Sequence, residues 1–243
     1  VTDRKIFRLS GEDSHSFLQG LVTNNVDNVK DGLVYAALLT PQGKYMADFF
    51  IAADGDDLLI DVAADLAPML FQRLSMYKLR AKATLEETDL QVQRGTGDAP
   101  EGALADPRHA ALGWRLYGAE GGDDGTDWTA LRVAHCIPET GVELTPDTFI
   151  LEAGFEALNG VDFRKGCYVG QEVTARMKHK TELRKGLARV TVTGEAATGD
   201  KILSGEKEAG TLLSRAGDEA IAYLRFDRAE GEMQAGDAVV RRI

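Results

Sequence analysis

The sequence predicts an α+β chain that finishes in a small all-β barrel, and three observations carry this. Over residues 1–181, apolar strand-like runs mix with segments whose apolar residues recur at helical spacing. From 185 onward the texture changes to short alternating runs, at Ala188, Val190 and Val192 and again at Ala220, Ala222, Leu224 and Phe226. Gly-Asp pairs at 199–200, 217–218 and 236–237 punctuate that stretch as turns, as in a small barrel of short strands. The boundary falls near 182, which gives domains over 1–181 and 182–243.

Each element follows from its local pattern. Residues 4–9 (RKIFRL) read as a strand. Ser10 with Asp13 forms a capping box for a helix that carries Phe17, Leu18, Leu21 and Val22 on one face. Thr23-Asn24-Asn25 ends that helix. Residues 33–40 and 44–53 are apolar runs separated by Pro41-Gln42-Gly43, a hairpin signal. Asp48 interrupts the second run; a carboxylate in so apolar a strand either faces water at an edge or is aimed at something. Asp54-Gly55-Asp56-Asp57 is a turn before a strand at 58–62. Residues 64–80 are helical, with Leu66, Met69, Leu70, Leu74 and Tyr77 along one side. Residues 81–94 alternate as one or two strands. The Gly-, Asp- and Ala-rich region 95–126 holds one strand, Leu112 to Tyr117, and an acidic loop from Gly121 to Asp127 expected as a solvated connection. A helix from about Thr126 to Cys136 follows, and the chain turns irregular after Pro138. Residues 171–180 read as a short helix, with Glu172 and Arg176 at pairing distance in sequence.

Composition excludes several classes. A chain of 243 residues with a formal charge of −11 lacks the basic surface that wholesale nucleic-acid binding needs. Cys136 and Cys167 are its two cysteines, which excludes a disulfide framework and a four-cysteine metal site within one chain. The four histidines stand at no metal-binding spacing, so no metal is expected. No apolar run is long enough for a membrane span and no signal-peptide segment opens the chain, so no membrane partner is expected and a reducing, cytoplasmic compartment is.

One stretch has a mixture that no packed element requires: Lys165-Gly166-Cys167-Tyr168-Val169-Gly170-Gln171-Glu172. Glycines on either side suit a tight turn that leaves Cys167 accessible, and Arg164 and Lys165 supply positive charge that favours a thiolate. The plainer reading is a buried cysteine acting as a small hydrophobe. Between Arg164 and Arg189 basic residues far outnumber the two acids, Glu172 and Glu182, which makes a local anion site on an acidic chain or an ordinary solvated charge run.

That stretch resembles the K-G-C-[YF]-x-G-Q-E signature of the YgfZ family, folate-binding proteins related to iron–sulfur cluster assembly and built like the T-protein (aminomethyltransferase) of the glycine cleavage system. Phe17-Leu18-Gln19-Gly20 with Thr23-Asn24-Asn25-Val26, and Leu39 to Lys44, are similar to the family's first helix and hairpin. Asp147 to Gly154 resembles the T-protein's D-[ST]-L-R-L-E-A-G, with Ile150 where that family has Arg. The resemblance implies two α+β lobes, roughly 1–85 and 86–181, that enclose a folate pocket and precede the barrel. It implies that tetrahydrofolate or a folate derivative is the cofactor, and that Glu152 accepts the pterin N–H edge. It also places Asp48 as a catalytic aspartate near the folate nitrogens, with Tyr35 lining the same cavity and Arg184 on the folate tail. Asn24 and Gln171, inside matched segments, join the folate contacts, and Cys167 with Lys165 forms the reactive pair. A lone cysteine cannot hold a cluster by itself, so iron–sulfur assembly machinery or client proteins are the implied partners, and effects on tRNA modification would be indirect. A folate-dependent one-carbon (aminomethyl) transferase and a non-catalytic folate-responsive scaffold are the rival readings.

Overall fold

The computed structural model describes residues 3–179 and 182–243, which form two compact units. Each unit is assembled from two segments: residues 1–126 with 156–173, and residues 127–155 with 174–243.

The first unit is organised on a five-stranded antiparallel sheet. Its strands are β1 (Arg4–Ser10), β2 (Val34–Leu39), β3 (Tyr45–Asp54), β4 (Asp57–Ala63) and β5 (Thr84–Glu87), in the order β2-β3-β4-β1-β5. One face packs Val34, Ala36, Leu38, Ala47, Phe49, Ile51, Ile60 and Val62 against helices α1 (Ser14–Gln19) and α2 (Ala67–Lys78). Phe7 of β1 meets Phe71 of α2 edge-on, ring centroids 5.4 Å apart. The opposite face holds Tyr35, Asp48, Phe50 and Asp61, all buried. Burial on both faces explains why β2 and β3 read as near-continuous apolar runs.

A second sheet combines β6 (Gln91–Gly95), β7 (Leu104–Ala105), β8 (Trp114–Gly118) and β9 (Gly122–Asp123), in the order β7-β8-β6-β9. The acidic loop is exposed, as expected of a solvated connection, and it also pairs: β9 joins β6 in parallel, and the Asp124 carboxylate accepts the Thr96 N–H at 2.8 Å. One local expectation is corrected here. Asp13 stands at the N-cap of α1 without a side-chain cap bond, because its carboxylate accepts the Lys82 N–H at 2.8 Å. A tertiary donor wins over the local one.

The second unit contains α3 (Trp128–His135), capped by the Asp127 carboxylate on Ala130 N–H. It also contains a closed six-stranded barrel: β10 (Lys185–Thr193), β11 (Lys201–Ser204), β12 (Lys207–Ala216), β13 (Glu219–Arg225), β14 (Glu232–Ala235) and β15 (Ala238–Arg242), joined β10-β13-β12-β11-β14-β15. Of the alternation read from sequence, Ala188, Val190, Val192, Ala220, Ala222 and Leu224 are the buried inward set, while Phe226 falls just past β13 and is only partly buried against it. Small residues dominate because a barrel of six strands has a narrow interior. Helix α4 (Gln171–His179) runs from one unit into the other, changing at Val173/Thr174. No helix among the described residues is long and apolar enough to cross a membrane.

Candidate functional site

The signature loop is anchored from beneath and open above. Lys165 is buried, and its ammonium donates to the carbonyls of Gln19, at 2.6 Å, and Val22. It also lies 5.1 Å from the centre of the Tyr168 ring. Thr23 donates its hydroxyl to the Gly160 carbonyl at 2.7 Å and accepts from Ala37 N–H. Asn24 spends both amide hydrogens on backbone carbonyls, Tyr35 at 2.8 Å and Asn159 at 2.7 Å. Residues 159–165 are thereby tied to the turn after α1. Cys167, two residues on, is exposed.

The signature glycines differ in role. Gly170 has φ +84°, and a Cβ there would meet the Thr40 carbonyl oxygen at 2.7 Å and Gly43 Cα at 3.1 Å. It lets the loop seat on the β2–β3 hairpin backbone. Gly166 has no such constraint: a Cβ there meets nothing within 4 Å. The sequence expectation that both glycines shape the turn holds for Gly170 alone.

This geometry redefines two expected site residues. Lys165 points its charge into backbone carbonyls as the bolt of the loop, and burial lowers its pKa to about 8. Asn24 holds strand β2 to Asn159, six residues before the signature, with both of its amide hydrogens. Gln171, half-buried, opens α4, its N–H bonded to the Tyr168 carbonyl at 3.3 Å.

Asp48 is aimed at something. Its carboxylate accepts the Tyr35 hydroxyl at 3.0 Å and the Tyr45 hydroxyl at 2.6 Å. Tyr45 lies three residues away on the same strand, a spacing that ordinarily puts side chains on opposite faces. A β-bulge resolves this: Leu38 pairs with Ala47 and Leu39 with Tyr45, so Met46 is the extra residue and the parity flips.

On the same face lies a charge network that local patterns did not reveal. Asp61 accepts from Arg4 Nε at 2.6 Å, from Arg115 at 3.2 Å and from the Tyr117 hydroxyl at 3.0 Å. Asp106 grips the Arg108 guanidinium through two bonds, 3.0 and 2.8 Å, accepts the Arg108 N–H at 3.1 Å, and takes a further bond from Arg115 at 3.2 Å. The guanidinium groups of Arg4, Arg108 and Arg115 lie 5.6, 4.8 and 3.9 Å from the centre of the Phe50 ring. Arg108 also lies 5.4 Å from the Tyr35 ring centre, which links the network to the Asp48 partners. Burial and the neighbouring Asp48 push the Tyr35 hydroxyl well above the ordinary phenol range, so it stays a hydrogen-bond donor.

Burial alone would raise the Asp106 carboxyl, but the Arg108 and Arg115 guanidinium groups hold it well below the usual carboxylate range. A depressed carboxyl contributes stability that is full above about pH 4 and is lost as pH falls toward the folded value. Asp106→Asn is therefore expected to lower stability at neutral pH and to flatten its fall in acid. Urea unfolding midpoints of both proteins across the acid range check this.

In the second unit, Glu152 is half-buried. Its Oε2 accepts the Tyr223 hydroxyl of β13 at 2.6 Å, and its backbone carbonyl accepts Leu187 N–H of β10 at 2.8 Å. Burial, then the Glu152 carboxylate, raises the Tyr223 hydroxyl. Arg184 is exposed at the start of the barrel and forms no ion pair among the described residues. Tyr45, Tyr223 and the Arg108 cluster were missed by sequence reasoning, and their local contexts carry no signal that would have found them. Among the described residues, no group of three His, Cys, Asp or Glu side chains could hold a metal ion.

The comparisons with known proteins agree with this architecture. The profile of the CAF17 C-terminal β-barrel domain matches residues 184–242. The chain is 34% identical over 219 residues to the iron-sulfur cluster assembly factor IBA57 homolog, mitochondrial, of Mycosarcoma maydis, covering 76% of this chain and 54% of that protein. To the mitochondrial IBA57 of Mus musculus it is 29% identical, covering 98% of this chain and 82% of the relative. The chain thus spans about half the length of the fungal relatives it matches. The glycine cleavage system aminomethyltransferase T of Bartonella henselae superposes over 100% of this chain and 83% of its own, TM-score 0.79, at 12% identity, which speaks to fold.

These relatives correct the cytoplasmic expectation, since they are named as mitochondrial proteins. Free thiols and the lack of a spanning segment suit any reducing compartment, so composition never separated the two. Fold, barrel and relatives converge: the chain has the aminomethyltransferase T fold with a CAF17-type C-terminal barrel, and it is similar to proteins named as IBA57 iron–sulfur cluster assembly factors.

Proposed function

We propose that the chain is a YgfZ-like, tetrahydrofolate-binding protein that supports iron–sulfur cluster assembly or repair through the Cys167 thiol. The observation that carries this reading is the exposed thiol on a loop bolted down by Lys165, Asn24 and Gly170. A thiolate is a soft ligand suited to cluster iron, and a rigid loop loses little freedom when it engages a cluster-bearing partner. The remaining cluster ligands come from that partner or a small thiol. The naming of the relatives as iron–sulfur cluster assembly factors supports the same reading.

The residues present fit a reduced pterin. Glu152 has Oε2 fixed by Tyr223 and forms no other side-chain hydrogen bond among the described residues, so Oε1 is left to accept an N–H edge. Arg184 offers its guanidinium to the carboxylates of the folate tail. Tetrahydrofolate when bound supplies one-carbon carrier chemistry. In the first unit, Asp48 is held by two tyrosine hydroxyls. Turnover of an aminomethyl donor is the rival outcome, and assay for methylene-tetrahydrofolate separates the two.

Cys167→Ser is expected to fail to restore iron–sulfur enzyme activities in cells that lack the native copy; full restoration would remove the thiol from the mechanism. Glu152→Ala is expected to weaken tetrahydrofolate binding about tenfold to hundredfold, the loss of charge-assisted hydrogen bonds, measured by calorimetric titration. Unchanged affinity would end the folate assignment of Glu152.

A further inference from the structure

The last turn of α2 presents the most exposed large apolar side chains among the described residues, Leu79 at 88% and Met76 at 58%. Leu79 also sits at φ +37°, in the half of backbone space that favours glycine, so its conformation is maintained against a local cost. A helix that merely needed an end would place Gly or Asn there.

The charge around these two side chains runs against the molecule as a whole. The chain carries −11, yet no Asp or Glu occurs from Ala67 to Leu85, while Arg73, Lys78, Arg80 and Lys82 do. Lys82 is engaged by Glu12 at 2.6 Å. Arg73 and Arg80 are exposed and form no ion pair among the described residues. Arg73 and Met76 stand three residues apart in α2, away from the buried stripe of Ala67, Leu70 and Leu74, and Arg80 lies two residues past the end of the helix, next to Leu79. An exposed apolar pair set between unpaired cations is the anatomy of an interface centre with a charged rim.

The occupant follows from charge. A second copy in a symmetric contact would set Arg73 and Arg80 against themselves. A bilayer or a nucleic acid is an extended anionic surface and would meet the −11 of the whole chain. A small acidic protein segment meets only the local patch, because screening cuts off the remainder within about 10 Å. We propose that the end of α2 docks an acidic protein partner, which places an apolar side chain against Met76 and Leu79 and carboxylates against Arg73 and Arg80.

The test uses the full chain and a fluorescent helical peptide with leucines at every third or fourth position and glutamates elsewhere. Binding is expected to be saturable, weakened by salt, and absent for the same peptide with lysines in place of glutamates. Leu79→Gly is expected to relieve the backbone and raise the melting temperature while weakening the glutamate peptide about tenfold. Arg80→Glu is expected to weaken the glutamate peptide and admit the lysine one. The proposal is overturned by absent binding, by equal binding of both peptides, by variants that bind like the parent, or by Leu79-dependent binding to phosphatidylserine vesicles.

Discussion

Asp61→Ala is expected to destabilise the protein by about 3–5 kcal/mol, a large part of the stability of an ordinary domain. Asp61 is 1% exposed and receives hydrogen bonds from Arg4, Arg115 and the Tyr117 hydroxyl. Its removal takes the carboxylate partner from the buried Arg115, which keeps Asp106, and from the part-buried Arg4, which keeps only its bond to the backbone carbonyl of residue 61. Arg4 has 14% of its side chain exposed and can recover only part of its hydration. The loss corresponds to a fall of roughly 10 °C in melting temperature for a chain of this size. Asp54→Ala is the control. Asp54 pairs with Arg8 at the surface, both about 40% exposed, and its loss is expected to cost less than about 1 kcal/mol. Equal losses in the two variants would show that the buried network is not a structural unit.

Gly170→Ala carries the second large effect, about 2–5 kcal/mol. Part is the positive φ, which costs an L-residue about 1–2 kcal/mol, and part is the overlap of the new methyl group with the Thr40 carbonyl and Leu39 Cβ. Neither neighbour is the far end of a flexible side chain, so the loop has to lift off the hairpin. Gly166→Ala, four residues earlier in the same signature, is expected to be neutral or stabilising by up to about 1 kcal/mol, since its φ is not positive and its Cβ meets open space. Chemical denaturation separates the two variants, and the rate of Cys167 alkylation reports whether lifting the loop changes presentation of the thiol. Similar outcomes for both would sink the packing role assigned to Gly170.

Those two glycines mark where the sequence was legible. A Gly-rich polar stretch with one cysteine correctly predicted an exposed thiol, because exposure follows from the absence of apolar neighbours to bury it. It did not tell which glycine was required, since that depends on the hairpin packed underneath. Lys165 shows the same divide. Beside Cys167 in sequence it read as a cation for the thiol; in the fold it reaches carbonyls 143 and 146 residues away.

Asp48 was flagged because a carboxylate in an apolar run violates the pattern, and such a violation needs a partner. Which partner could not be read, since Tyr45 reaches Asp48 only through the bulge at Met46. Arg108, Arg115 and Asp106 looked like ordinary charges in a Gly- and Asp-rich region. They became a buried network only when β8 and its preceding loop covered the Asp61 face of the first sheet.

By itself the sequence determined the barrel and its turns, the first hairpin, α2, α3 and the displayed thiol, because each is written in residue spacing within a window of about ten residues. The tertiary structure alone decided which charges are buried, which side chains face Asp48, and that Glu152 rests on Tyr223. The reason is physical: a hydrophobic period is set by local backbone geometry, whereas the partner of a buried charge is set by whichever distant strand closes over it.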